Sequence, residues 1–172
     1  SWPADLIGPP RRDALDLSAL AARLTADLAS CALCPRRCGV DRLAGQRGWC
    51  GLGATAQVAK AFVHVGEEPA LVPSYALFVA GCSLACPWCS EADTNADPCS
   101  GRDLSAFPAR DEIAAARRQG VGNLQLVGGE PIASLPALVS FLAVRASDLA
   151  GLPLVVNTNA WATDETLDVL AL

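Results

Sequence analysis

Seven of the eight cysteines fall into two tight clusters, and these limit what the rest of the chain can fold into. Cys82, Cys86 and Cys89 follow the pattern C-x3-C-x2-C. They stand directly behind an apolar run, Ala76 to Ala80, of the length and type that suits a buried strand. Gly81 breaks that run. Spacings of two and three residues let one tight loop turn several thiolates toward a single point, as zinc and iron–sulfur clusters both require. A closed structural site wants four ligands. This loop supplies three, so one metal position is left for something that is not cysteine.

The second cluster, Cys31, Cys34, Cys38 and Cys50, reads C-x2-C-x3-C-x11-C. Four ligands at these spacings predict a closed site, either structural zinc or a saturated cluster. Gly45, Gly48, Gly51 and Gly53 supply the turns that a loop wrapped on a metal requires. Tight grouping reads as metal binding in a reducing cytoplasm rather than as a disulfide framework. Cys99 stands apart. A solvent-facing thiol is the preferred reading for it, ahead of a fourth ligand for the triad.

The chain has 172 residues, 52% of them hydrophobic, which suits a folded domain with a small appendage. A net charge of −5 and a pI near 4.7 argue against a nucleic-acid or anionic-membrane surface. Neither a membrane-spanning apolar stretch nor a signal peptide is visible. There is no methionine. The last residues, from Thr163, look like a helix still in progress, so the reading is of a fragment.

In chain order, residues 1–12 are Pro-rich and read as an extended arm. Leu17, Leu20, Leu24 and Leu28 predict an amphipathic helix ending near Ser30, its apolar face packed on the rest of the fold. Residues 1–57 thus form an arm, a helix and a Cys-rich segment, and residues 58–172 form a second unit. Val58 to Val65 reads as a strand. His64, the single histidine, is more often structural in such a place than a proton donor. Glu67 and Glu68, before Pro69, more readily shape a turn than act as acid and base. Ser90 to Phe107 reads as a long polar loop. A helix is then expected from Pro108 to Gly120, and a strand from Asn123 to Val127 ending in Gly128-Gly129-Glu130-Pro131. A helix from Leu135 to Leu149, capped by Ser134, and a strand from Leu154 to Val156 ending in Asn157-Thr158-Asn159 follow. A last helix opens at Thr163. Alternating strands and helices predict a parallel sheet, with chemistry at the carboxyl ends of its strands. The cysteine loop and the GGEP and NTN turns all lie there.

If the triad holds a four-iron cluster, its fourth iron can accept an amine and a carboxylate from a small molecule. Gly128 and Gly129 would expose backbone groups to it, and Glu130 would offer a carboxylate to its ammonium. Trp88 would pack against an adenine ring or show it a backbone edge. An amino acid carrying an adenosyl group fits that description.

With C-x3-C-x-aromatic-C after one strand and GGEP after the next, the chain resembles the radical S-adenosylmethionine superfamily. CALCPRRCGVDRLAGQRGWC, HVGEEP and GCSLACPWC together look like its branch related to pyruvate formate-lyase activating enzyme, over about Ala32 to Asn159. The resemblance implies an α/β fold: a partial (β/α) barrel, truncated after about three of six β/α units, with an N-terminal helix and a four-cysteine metal-binding segment. It implies a 4Fe-4S cluster on Cys82, Cys86 and Cys89. It implies S-adenosyl-L-methionine held by Gly128, Gly129, Glu130 and Pro131, with Asn157 and Asn159 toward the ribose or carboxylate. The implied activity is that of an oxidoreductase, active or inactive as this length of chain. A cluster reduced by flavodoxin or ferredoxin would cleave the sulfonium to a 5′-deoxyadenosyl radical, which abstracts hydrogen from a substrate. A glycine of a glycyl radical enzyme is one such substrate. Two features depart from the branch: Ser90-Glu91 stands where relatives have Gln-Asn, and the Cys99 loop is long. The alternatives are a metal-stabilised binding or electron-transfer module, with zinc or iron–sulfur, and a 7-carboxy-7-deazaguanine synthase-like enzyme. The four N-terminal cysteines speak against the latter.

Overall fold

The computed structural model describes residues 16–171, so the expected N-terminal arm lies outside the described residues. The sheet is built around β2 (Ser74–Val79), which is buried along its whole length. A strand buried on both faces must be apolar throughout, and this one nearly is. Against one side of it runs β4 (Asn123–Gly128), and against β4 runs β5 (Leu154–Val156), both parallel. On the other side β1 (Gln57–His64) pairs antiparallel with β2, and the two-residue β3 (Arg102–Asp103) pairs antiparallel with β1. The order is β3-β1-β2-β4-β5. The three strands expected to run parallel do so. The two on the far side make the sheet mixed.

Pleating assigns the two faces. Tyr75, Leu77, Val79, Leu124 and Leu126 point to one core, where they meet Phe107, Ile113, Leu138 and Phe141. Ile113 lies on α3 (Ala109–Arg118) and Leu138 and Phe141 on α4 (Leu135–Val144). α3 carries Asp111 and Glu112 in its first turn and Arg117 and Arg118 in its last, the polarity its dipole favours. α1 (Leu17–Ala26) lays Leu20, Ala21 and Leu24 on Leu135 and Val139 of α4 and Val169 of α5 (Asp164–Leu170). A 3₁₀ turn over Asp27–Ser30 then leads into the cysteine-rich segment.

Three expected details differ. The helix expected to reach Leu149 ends at Val144. Beyond it the chain turns through Arg145 and Asp148, which pair at 4.0 Å across the break. Ser134 takes the expected N-cap position, but its hydroxyl caps no backbone amide. The turn ahead of α4 is instead a 3₁₀ turn, Pro131–Ser134, whose first free amide, Ile132 N, donates to the Glu130 carboxylate at 2.9 Å. The loop expected over residues 90–107 contains a short helix, α2 (Ala92–Ala96), as well as β3 and a 3₁₀ turn over Leu104–Ala106.

Candidate functional site

Register brings the functional turns together. Val79 at the end of β2 lies opposite Gly128 at the end of β4, and Leu126 lies opposite Val156 just before the NTN turn. The cysteine loop and the two turns therefore leave the same edge of the sheet side by side. Two backbone bonds tie the first pair: Gly129 N donates to Val79 O at 2.6 Å and Glu130 N to Gly81 O at 2.8 Å. Only glycine fits this junction. Gly81 sits at φ +83°, where a Cβ would lie 2.6 Å from Leu52 Cγ. Gly128 sits at φ +103°, where a Cβ would lie 2.7 Å from Val79 O.

Cys82, Cys86 and Cys89 line a half-open cavity of about 420 Å³ together with Trp49, Cys50 and Asn95. That size falls within the roughly 300–1,000 Å³ of small-molecule sites. Burial raises the Cys82 thiol above its ordinary value, against the lowering effect of a bond from Leu84 N. Asn95 was not singled out from the sequence. Its Nδ2 donates to Cys89 Sγ at 3.8 Å, and its Oδ1 is buried without a partner. That oxygen lies 2.6 Å from where a Cβ on Gly129 would stand. Its sequence signal is weak, a polar residue six positions past the last cysteine.

The other expected cofactor residues are placed differently. Trp88 is 84% exposed and does not line the cavity. Glu130 is 1% exposed, and its carboxylate accepts from Ile132 N, from Thr158 Oγ1 at 2.6 Å and from Asn159 N at 2.9 Å. The carboxylate expected to meet a ligand ammonium therefore clamps the NTN turn instead, because three internal donors surround it. Pro131 is buried at the start of the 3₁₀ turn. Asn157 N continues the ladder to Leu126 O at 2.9 Å, and Asn159 Nδ2 reaches Ser83 Oγ in the cysteine loop at 3.4 Å.

Cys31, Cys34, Cys38 and Cys50 line a second cavity, of about 20 Å³. Trp49 and Cys50 form a wall of both. Burial, the largest effect on Cys34, raises its thiol. Arg36 joins the two segments: its Nε donates to Ser83 O at 2.8 Å and its guanidinium lies 3.9 Å over the Trp49 ring. Cys99 is exposed against Arg47 and lines neither cavity. Among the described residues no three Cys, His, Asp or Glu side chains are drawn together as a metal requires. The thiols face shared cavities, and contraction onto a metal is a step that loading itself supplies.

His64 lies away from both sets of thiols, on the sheet face opposite the main core. It packs edge-on to Phe62 and Phe78, with ring centroids at 5.6 and 6.1 Å, and stands 3.7 Å from Glu67. Glu67 in turn accepts from Gln125 Nε2 at 3.0 Å. Glu68 caps a turn by its backbone, its carbonyl accepting from Leu71 N at 2.8 Å.

No helix among the described residues is long and apolar enough to cross a membrane. The chain is 30% identical over 146 residues to an uncharacterized protein of Methanocaldococcus jannaschii, an alignment covering 82% of this chain and 42% of that one. It thus spans about two fifths of that relative's length. No solved structure matches. Residues 73–164, from the start of β2 through the cysteine loop and both turns to the start of α5, match the family described as a 4Fe-4S single cluster domain. The match takes in the whole triad and leaves the four N-terminal cysteines outside, and on it this chain belongs to the 4Fe-4S single cluster domain family.

Proposed function

We propose that the chain is the cluster-bearing part of a radical S-adenosylmethionine enzyme, with β2, β4 and β5 as the first strands of a (β/α) barrel. Its family occurs in radical S-adenosylmethionine-like proteins, which supports this reading. The observation that carries it is the pair of backbone bonds joining the diglycine turn to the start of the cysteine loop. A ligand on an open iron of the triad would lie within reach of that turn.

Cys82, Cys86 and Cys89 would hold the cluster. One-electron reductive cleavage of S-adenosylmethionine is the chemistry the reduced cluster supplies when bound. The chain's own residues do the rest. Gly128 and Gly129 keep the turn free of side chains, so a ligand's amino and carboxylate ends can approach backbone. Glu130 holds the NTN turn against it through Thr158 and Asn159. Asn95 steadies the Cys89 sulfur with its amide and offers the unpartnered Oδ1 to a ligand donor. A flavodoxin or ferredoxin would supply the electron, and a glycyl radical enzyme is one candidate for the hydrogen donor. The activating-enzyme assignment rests on the sequence resemblance alone.

Anaerobic reconstitution with iron and sulfide, followed by dithionite and S-adenosylmethionine, tests the reading. Formation of 5′-deoxyadenosine and methionine, lost on Cys86→Ala, is the expected result. An iron-loaded protein that leaves S-adenosylmethionine intact would favour an electron-transfer or binding module.

A further inference from the structure

We propose that the cavity of Cys31, Cys34, Cys38 and Cys50 is a site for a single zinc ion, separate from the family's cluster and set into the wall of its pocket. Size favours zinc over a second cluster. The cavity measures about 20 Å³, against about 420 Å³ beside the triad. One water-sized guest needs roughly 10–15 Å³ on this measure, so the smaller cavity admits one atom. Four thiolates at tetrahedral spacing around one ion are the closed structural arrangement of zinc.

Charge supplies the second, independent argument. Arg42 is 2% exposed. Its donors reach Gly53 O at 2.7 Å, Ala133 O at 3.0 Å and the Cys31 sulfur at 3.7 Å. Among the described residues no carboxylate pairs with it. A guanidinium stripped of water needs a compensating negative charge. Carbonyl dipoles supply part of it. A zinc tetrathiolate carries two net negative charges and would place them against this group, with Arg36 and Arg37 on the same cavity. Local backbone fits a wrapped ion. Gly39 N donates to Cys31 O at 3.0 Å, Cys31 N to Val40 O at 3.1 Å, and Arg37 N to Cys34 O at 2.9 Å. Gly48 packs so closely on Cys38 that a Cβ there would lie 3.1 Å from the sulfur.

The site has a structural consequence. Arg36, between two of the ligands, holds Ser83 of the cluster loop, and Cys50 and Trp49 face both cavities. An ion here would fix the wall against which the triad closes. Cys50 is the residue on which the assignment turns. Given to zinc, it leaves the triad one ligand short. Given to the triad, it would cap the open iron.

Metal analysis of the full chain, purified anaerobically and dialysed against a mild chelator, tests this without any activity assay. About one zinc alongside about four irons per chain is expected. X-ray absorption at the zinc edge should show four sulfurs near about 2.3 Å. Cys34→Ser and Cys50→Ser should each lose zinc and keep iron, while Cys86→Ser should lose iron and keep zinc. Arg42→Gln, checked for folding by circular dichroism, should weaken zinc affinity by about 10–100-fold. Loss of iron rather than zinc from Cys50→Ser would move that residue to the triad and overturn the assignment. So would about eight irons and no zinc, or zinc affinity unchanged by Arg42→Gln. None of these results depends on how S-adenosylmethionine behaves.

Discussion

Glu130 is a charged side chain that the fold has consumed. At 1% exposure it survives as an acceptor because three donors, two of them backbone amides, meet its two oxygens. Replacing it with Gln would turn an NH₂ toward at least one of those donors. We expect Glu130→Gln to cost about 1–3 kcal/mol in urea unfolding and to loosen the NTN turn. Asn95 gives the contrasting case of a polar atom left over. Asn95→Ala removes an unpartnered oxygen together with one long bond to the Cys89 sulfur, so little stability should be lost. The loss is expected in ligand affinity, read as weaker S-adenosylmethionine binding to the iron-loaded chain at unchanged iron content. The gathering of the cysteines around two cavities was legible because short spacings keep side chains together whatever the rest of the fold does. Glu130, Trp88 and Asn95 were not, because which way a side chain turns depends on donors and walls brought in from other strands.

Elements divide along the same line. β2, β4, β5 and α3 could be read locally, since short runs rich in β-branched and apolar residues and a glycine stop at Gly120 are self-contained signals, even though β5 lies half-exposed at the edge of the sheet. The end of α4 could not, because no glycine or proline interrupts the sequence between Val144 and Gly151, while the helix ends at Val144 and the chain turns at the Arg145–Asp148 pair. β3 has two residues and exists only as a partner to β1. The seam between α1 and α4 is apolar packing, and none of its buried residues lines either cysteine cavity. Leu24→Ala should therefore cost about 2–5 kcal/mol in thermal or urea unfolding while zinc and iron contents stay unchanged. Beyond β3, the Ser105 hydroxyl and amide hold the Asp103 carboxyl below its ordinary value of 3.8, with Thr55 and Gln57 adding to the effect. A depressed folded-state value stabilises above the unfolded one, and the gain disappears as pH falls through the folded value. Asp103→Asn should remove a small part of the stability difference between neutral and strongly acidic pH. Asp103 is only partly buried and solvent screens its bonds, so the change in the acid unfolding midpoint should be slight.

At the scale of the molecule, one sheet edge gathers everything with chemistry in it. Parallel pairing in this register puts the cysteine loop, the diglycine turn and the NTN turn next to one another, and the N-terminal segment packs its own thiols behind the first. The parallel core was legible from the alternation of elements. The shared wall was not, since nothing in the spacing of residues 31–50 says that Cys50 and Trp49 reach the triad. The central claim is an iron of the triad's cluster open to S-adenosylmethionine, and electron paramagnetic resonance of the dithionite-reduced, reconstituted chain tests it most directly. A cluster signal whose g-values shift when S-adenosylmethionine is added is the predicted result. A reduced four-iron signal that stays the same at saturating S-adenosylmethionine would contradict it.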